Sequence, residues 1–149
     1  MVVPALCAPA ASAAILPAVC SGSTGSVPSL IGAITAANLN PGPDTVTLGP
    51  DCTYTLGNVD NNWYGPNGLP AISDDVTVEG NGATIARFDA APKFRLFFVG
   101  ADPTSASTSG YISPGPGALT LRNVTLRGGL ARGGAAFLGG GGADRKSVV

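Results

Sequence analysis

The chain of 149 residues contains no histidine and few charged residues. Without histidine, these residues cannot form a Ser-His-Asp triad, a Cys-His dyad or a histidine metal site. Charged residues make up 11% of the chain and its net charge is -1. Binding of nucleic acid requires a clustered basic face, so we predict no nucleic-acid partner.

Long apolar runs are also missing. The N-terminal apolar segment is interrupted by Pro4, Pro9 and Pro17 and is too short to span a membrane, so we predict no transmembrane segment. This segment contains Ala11-Ser12-Ala13, a small-residue pattern typical of signal-peptide cleavage. We therefore interpret residues 1–14 as a secretory leader of a secreted or cell-surface protein. Because the leader has no basic n-region, we place the true start upstream or at another codon.

Cysteine is scarce, with three residues at positions 7, 20 and 52. If Cys7 is removed with the leader, Cys20 and Cys52 remain, and in an exported protein such a pair most simply forms a disulfide. The bond would close a loop of roughly 30 residues and contribute on the order of 3 kcal/mol by restricting the unfolded chain. Two free buried thiols are the alternative.

Turn and strand formers are abundant, with 22 glycines and 13 prolines and 44% hydrophobic residues. One helix is predicted over Ser26–Asn38, with Ser26 as its N-cap and Pro28 in its first turn. Its apolar stripe comprises Leu30, Ile31, Ile34 and Ala37.

Short alternating strands fill the rest of the chain. The segment Leu69–Arg87 reads as a strand, a bend at Asn81 and a second strand, and Ala118–Gly129 repeats this pattern around Asn123. Val76, Leu96 and Leu119 follow one another at intervals of 20 and 23 residues, which predicts a solenoid repeat.

Several segments resemble, in order, the start of exported right-handed parallel β-helix proteins. Ser29-Leu30-x-x-Ala33-Ile34-x-x-Ala37-Asn38 resembles their C-S-L-R-E-A-I-x-x-A-N segment, although Pro28 replaces the cysteine and Ile31-Gly32 replace Arg-Glu. The segments that follow in the same order are 44–48, 52–56, 68–72 and 76–85.

This resemblance implies an all-β fold, a right-handed parallel β-helix (solenoid) with a short N-terminal capping helix. Residues 19–42 would form the cap and 43–138 the first coils, and the remaining coils of a longer chain would be its partner. The last residues, 144–149, look like a translated sequencing adapter, so we expect an artefactual tail and a natural sequence that stops at about Ala143.

The predicted function is structural, adhesive or glycan-binding and non-catalytic, with a polysaccharide or another surface protein as partner. Trp63 and Tyr64, in an Asn/Gly-rich loop, are the predicted glycan contacts; covering the nearby phenylalanine-rich strand is the alternative. The other functional hypothesis is the N-terminal part of a polysaccharide lyase or glycoside hydrolase. Asp74, Asp75 and Glu79 are the carboxylates that raise it, but a turn role explains the two aspartates better.

We predict neither a metal nor a cofactor. Gly139–Asp144 resembles a single imperfect copy of a calcium-binding glycine-rich repeat, and one such copy does not form a site. The arginines at positions 87, 95, 122, 127 and 132 could line a face for an acidic glycan, but solvated strand-face charges explain them more simply.

Overall fold

The computed structural model of the chain describes residues 12–62, 65–101, 115–131 and 147–148. Within these residues it contains one helix, α1, at Val27–Leu39, and eleven strands. The strands are β1 Ile15–Pro17, β2 Cys20–Ser21, β3 Thr24–Gly25, β4 Asp44–Thr47, β5 Thr53–Leu56, β6 Asp75–Glu79, β7 Thr84–Arg87, β8 Phe97–Phe98, β9 Ala118–Arg122, β10 Thr125–Arg127 and β11 Ser147–Val148.

The first sheet is entirely parallel, with the strand order β1-β4-β6-β9. Its register aligns Val46 with Val78 and Val78 with Leu121. Because side chains alternate along a strand, these residues share one face of the sheet. Val46 and Val78 are fully buried, so this face forms part of the core.

The second sheet is mixed, with the order β10-β7-β5-β3-β2. Strands β10, β7, β5 and β3 pair in parallel, whereas β2 and β3 form an antiparallel pair. The register aligns Tyr54 with Ile85 and Ile85 with Leu126. Strands β8 and β11 form a separate antiparallel pair.

Three bends carry the chain from the first sheet to the second, and they stack on one another. Each contains a residue in the left-handed region, namely Asp51, Asn81 and Asn123 with φ of 53°, 50° and 48°. Asp and Asn tolerate this conformation better than other non-glycine residues. The amide of Asp51 donates to the carbonyl of Asn81, and that of Gly82 donates to the carbonyl of Asn123. At Gly80, a Cβ atom would collide with the backbone of Asn123, so this bend requires glycine.

Helix α1 forms where the sequence predicts it. The Ser26 hydroxyl caps its N-terminus by accepting a hydrogen bond from the amide of Ser29, at 3.3 Å. The helix packs against β1, β4 and β6 of the first sheet and β5 of the second. Its buried residues are Leu30, Ala33, Ile34 and Ala37.

The prediction of an all-β, right-handed parallel β-helix solenoid is wrong. The described chain is a mixed α/β fold with two main sheets, one parallel and one mixed, and no closed sheet occurs within the described residues. Leu30 and Ile34 are fully buried in the same core as the strands. The helix is therefore part of the core layer, because its apolar face meets strands of both sheets.

The repeat of about 20 residues is wrong as well. Val76 pairs directly with Leu119, and no strand that contains Leu96 lies between them. Leu96 belongs instead to a buried segment beside β8. Alternation identifies strands with one buried face, but it does not determine which strands become neighbours.

Candidate functional site

An open groove lies between the first turns of α1 and the segment that follows β5. Its volume is about 530 Å³, within the ~300–1,000 Å³ typical of small-molecule sites. We call it the α1 groove. The residues that line it are Val27, Pro28, Ile31, Thr55, Gly57, Asn58, Val59, Asp60 and Gly68.

One wall of the α1 groove is apolar and comes from the helix. The residues of α1 in this wall are Val27, Pro28 and Ile31. Two hydrogen bonds hold this end of the helix to the preceding segment. The amide of Ser26 donates to the carbonyl of Val19 at 2.8 Å, and the amide of Val19 donates to the Ser29 hydroxyl at 2.9 Å. The wall is therefore fixed on both sides of the helix cap.

The opposite edge of the α1 groove is polar. Alternation along β5 places Tyr54 and Leu56 in the core and leaves Thr55 exposed. Asn58 and Asp60 follow, and both are exposed. A hydroxyl, a carboxamide and a carboxylate therefore face a wall of aliphatic side chains.

Asn58 and Asp60 of the polar edge belong to a loop, residues 57–62 and 65–68, that we call the groove loop. Its anchor is Asn67, whose side chain is fully buried. The Asn67 Nδ2 group donates to Asn61 Oδ1 at 2.8 Å and to the carbonyl of Gly65 at 3.1 Å. Asn61 Nδ2 in turn donates to the carbonyl of Leu69 at 2.8 Å. The two ends of the loop are thus joined by side-chain amides.

Arg95 fixes this network to the core. It is 4% exposed, and its Nε donates to Asn67 Oδ1 at 3.0 Å. Its guanidinium lies 5.6 Å from the centre of the Phe98 ring, which is within the range of a cation–π interaction.

Backbone hydrogen bonds add to this anchoring. The amide of Gly68 donates to the carbonyl of Arg95, and the amide of Arg95 donates to the carbonyl of Pro66. A buried arginine that is hydrogen-bonded in this way restrains the loop, since releasing it would leave polar groups without partners in the core.

The predicted glycan contacts, Trp63 and Tyr64, lie outside the described residues. Their neighbours Asn62 and Gly65 are described, and the amide of Gly65 donates to the carbonyl of Asn62 at 3.3 Å. The groove loop does cover the phenylalanine-rich segment in part. A Cβ atom at Gly68 would collide with the ring of Phe94, so the loop backbone lies directly on that ring.

The structure contains the disulfide between Cys20 and Cys52 that the cysteine count predicts. It joins β2 to the residue before β5, with the two Cα atoms 6.4 Å apart and a sequence separation of 32. A loop of this length corresponds to about 3 to 4 kcal/mol of stabilisation in the chain-entropy account.

The carboxylates that raised an enzyme hypothesis lie on and beside β6. Asp74 Oδ1 accepts a hydrogen bond from the amide of Asp75 at 2.8 Å, a local turn interaction of the kind that the sequence predicts. Asp75 is exposed, and Glu79 lies in register with Arg122 of the neighbouring strand. Opposite charges in register on neighbouring strands attract each other.

The arginines do not share one role. Arg122 and Arg127 are exposed on β9 and β10, whereas Arg132 lies outside the described residues. Arg87 donates to backbone carbonyls at Gly128, Phe88, Asp89 and Ala91. The expectation of solvated strand-face charges is therefore wrong for Arg87 and for buried Arg95, both of which tie loop segments to the sheets.

Within residues 12–62, 65–101, 115–131 and 147–148, no group of three or more Cys, Asp or Glu side chains is placed to hold a metal ion. In the same residues, no helix has both the length and the apolar character needed to cross a membrane.

Comparison with known proteins gave no match to a protein-family model, a curated protein or a solved structure. The function is therefore inferred from the geometry of this chain.

The Asn61–Asn67–Arg95 network was missed in the sequence. Its one visible signal is a lone cation in the apolar run Phe94–Val99, where an arginine requires buried hydrogen-bond partners. The residues that satisfy it lie about 30 positions earlier in a loop, and nothing in their spacing predicts the pairing.

Proposed function

We propose that this chain is a non-catalytic binding module of a secreted or cell-surface protein and that the α1 groove binds a segment of polysaccharide. The observation that carries the proposal is the combination of an aliphatic wall with a restrained polar edge. Sugar rings present the same combination, because their C–H faces are apolar and their hydroxyl rims are polar.

The chemistry of the polar edge matches a hydroxyl-rich ligand. The Asn58 carboxamide supplies both donors and an acceptor, the Asp60 carboxylate supplies acceptors, and the Thr55 hydroxyl supplies one of each. Pro28 and Ile31 offer aliphatic surface on the other side. A mostly apolar cleft with a few convergent polar groups is the usual form of a ligand site.

The restrained loop favours binding because less conformational entropy is lost when the ligand orders it. Asn67 and Arg95 hold both ends of the groove loop against the core. Trp63 and Tyr64 belong to the same loop by sequence, and we propose them as additional ring-stacking contacts.

Export is supported by the disulfide between Cys20 and Cys52. Disulfides form and persist mainly in oxidising compartments and are rare in the cytosol. This agrees with the small-residue pattern at Ala11-Ser12-Ala13, which precedes the first strand.

Affinity electrophoresis of the full chain tests the groove. The probes are soluble xylan, arabinogalactan, mannan and polygalacturonate, which separate neutral from acidic ligands. We expect one of them to retard the protein, and we expect Asn58→Ala and Trp63→Ala each to weaken that binding about tenfold, since stacking and buried hydrogen bonds each contribute on the order of 1–2 kcal/mol. The matched control is Thr120→Ala, an exposed residue of β9.

Two results would count against the proposal. One is the absence of retardation by all four polysaccharides. The other is retardation that the Asn58 and Trp63 variants leave as strong as in the Thr120 control, because the ligand would then bind elsewhere on the molecule.

A further inference from the structure

Asp44 is a buried carboxylate with one oxygen left without a partner. It is the first residue of β4 and is 1% exposed. Its Oδ1 accepts hydrogen bonds from the backbone nitrogen of Ala14 at 2.7 Å and from Asn40 Nδ2 at 2.8 Å. Its Oδ2 is buried and accepts no hydrogen bond.

This arrangement leaves one carboxylate oxygen in the core without a partner. Among the described residues, no lysine or arginine pairs with Asp44. Buried carboxylates are usually paired with a cation or fully hydrogen-bonded, because removing the charge from water is costly. A missing cation beside Oδ2 would explain the arrangement.

The backbone nitrogen of Ala14, which already donates to Asp44 Oδ1, could itself become that cation. The small-residue pattern Ala11-Ser12-Ala13 is typical of signal-peptide cleavage at the bond that follows it, between Ala13 and Ala14. Cleavage there turns the nitrogen that already donates to Asp44 into a free amino group. Ser12 and Ala13 are exposed and Ala14 is half-buried, so this bond lies at the surface.

We propose that the leader is removed at the Ala13–Ala14 bond, one residue before the boundary at residue 14 that the sequence predicts, and that the new α-ammonium group of Ala14 forms a buried ion pair with Asp44. The proposal rests on the export proposed above, and it adds the cleavage position and a structural role for the new terminus. The reaction is a hydrolysis by signal peptidase. Water adds to the carbonyl carbon of Ala13, the C–N bond breaks, Ala13 leaves as a carboxylate, and the nitrogen of Ala14 takes up protons to become an ammonium group.

The ammonium group suits the site better than the peptide nitrogen that it replaces. A peptide nitrogen has one donor, whereas the ammonium group has three, so it keeps its bond to Oδ1 and has a donor for Oδ2. Asn40 Nδ2 also donates to the carbonyl of Ser12 at 2.7 Å. Once the leader is removed, Asn40 Nδ2 donates to Asp44 alone.

The first strand fixes which bond must be cut. The amide of Thr45 donates to the carbonyl of Ala14 at 2.8 Å, and Ile15 pairs with Thr45 in the sheet. A terminus at Ile15 would remove residue 14, and with it both the nitrogen that donates to Asp44 and the carbonyl that accepts from Thr45. The Ile15 side chain is itself 77% exposed. Cleavage one residue later therefore would not deliver the ammonium group to Asp44.

The cleavage position is tested by expressing the full chain in a secreting bacterial host and determining the N-terminus of the exported protein by Edman degradation and intact mass. We expect Ala14. We expect Ala13→Phe to block cleavage at this bond, since the residue before it must be small, and Ser12→Phe to leave it unchanged as the matched control. A terminus at another residue, or exported protein that retains its leader, would overturn the inference while leaving export intact.

The ion pair is tested on the exported protein with an amine-reactive label at pH 8. We expect the α-amine of Ala14 to react at least tenfold more slowly in the wild type than in Asp44→Asn, because the pair holds it protonated and each tenfold corresponds to one pKa unit. Asp75→Asn, at an exposed position, should leave the rate unchanged.

If Asp44→Asn does not fold, the same comparison is made between folded and urea-unfolded wild type. Equal labelling rates in the wild type and in folded Asp44→Asn would overturn the ion pair. Where that variant does not fold, equal rates in folded and unfolded wild type would overturn it. A full chain that stays in the cytoplasm would contradict the proposed export itself and the maturation step with it.

Discussion

The stacked strands and the groove loop are held in place by different kinds of interaction. The strand stack, formed by β4–β7, β9 and β10, is joined by backbone ladders, and its inward side chains, such as Val78 and Ile85, are fully buried and apolar. The groove loop has few ladder bonds and depends on the side chains of Asn61, Asn67 and Arg95. The strand stack therefore gains its stability from backbone pairing and apolar burial, whereas the groove loop owes its shape to polar side chains.

The largest expected effect comes from the strand stack. Ile85 is fully buried on β7, between Tyr54 and Leu126 in the register. Ile85→Ala should lower the free energy of unfolding by about 3 to 4 kcal/mol through lost burial and a residual cavity. Urea denaturation of the full chain measures it.

The control for this change is Thr84→Ala, on the same strand but only half-buried. We expect it to cost less than about 1 kcal/mol. If the two substitutions cost the same, the inward row of the stack would not be the main source of stability.

A smaller and local effect is expected at the anchor of the groove loop. Arg95→Met removes a buried hydrogen bond from a charged donor to Asn67 Oδ1 and should cost about 2 kcal/mol. It should also accelerate proteolysis within the groove loop more than elsewhere, because the loop loses its link to the core. Denaturation and limited proteolysis followed by mass spectrometry report the two effects.

Arg122→Met is the matched control, since Arg122 is exposed on β9 and surface changes are usually within about 0.5 kcal/mol. Unchanged cleavage of the groove loop in Arg95→Met would show that the backbone bonds at Pro66 and Gly68 are sufficient to hold it.

The smallest effect is expected at the helix wall of the groove. Ser26→Ala removes the hydroxyl that accepts from the amide of Ser29 and should cost about 1 kcal/mol, as N-cap substitutions typically do. Circular dichroism during thermal unfolding measures it. Thr35→Ala is the control. The Thr35 hydroxyl donates to the carbonyl of Ile31 one turn earlier, on the exposed surface of the helix, and does not cap it.

Local patterns in the sequence predicted individual elements well. The N-cap at Ser26, the helix that follows it and the bends at Asn81 and Asn123 are all found. Each depends on a few neighbouring residues, such as a hydroxyl before a helix or a residue that tolerates positive φ. The chemistry that decides them lies within the local segment.

The arrangement of these elements was not predictable in the same way. The spacing of Val76, Leu96 and Leu119 indicates a short repeat, but the first sheet pairs Val76 with Leu119 and excludes Leu96. Both pairings would bury apolar residues, so the hydrophobic pattern alone does not distinguish them. The partners of Arg95 could not be predicted from the sequence either, because they lie in a loop and loops show no periodic pattern.

By itself, the sequence determined the helix, the alternating strands on either side of Asn81 and Asn123, the bends at these two residues, and which two cysteines are available for a disulfide. It determined these because propensity, capping and alternation act over a few residues. Only the tertiary structure decided that the helix joins the core, that Arg95 organises the groove loop, and that the nitrogen of Ala14 meets Asp44. These depend on contacts between residues distant in the sequence, and such contacts are selected by the packing of the whole chain.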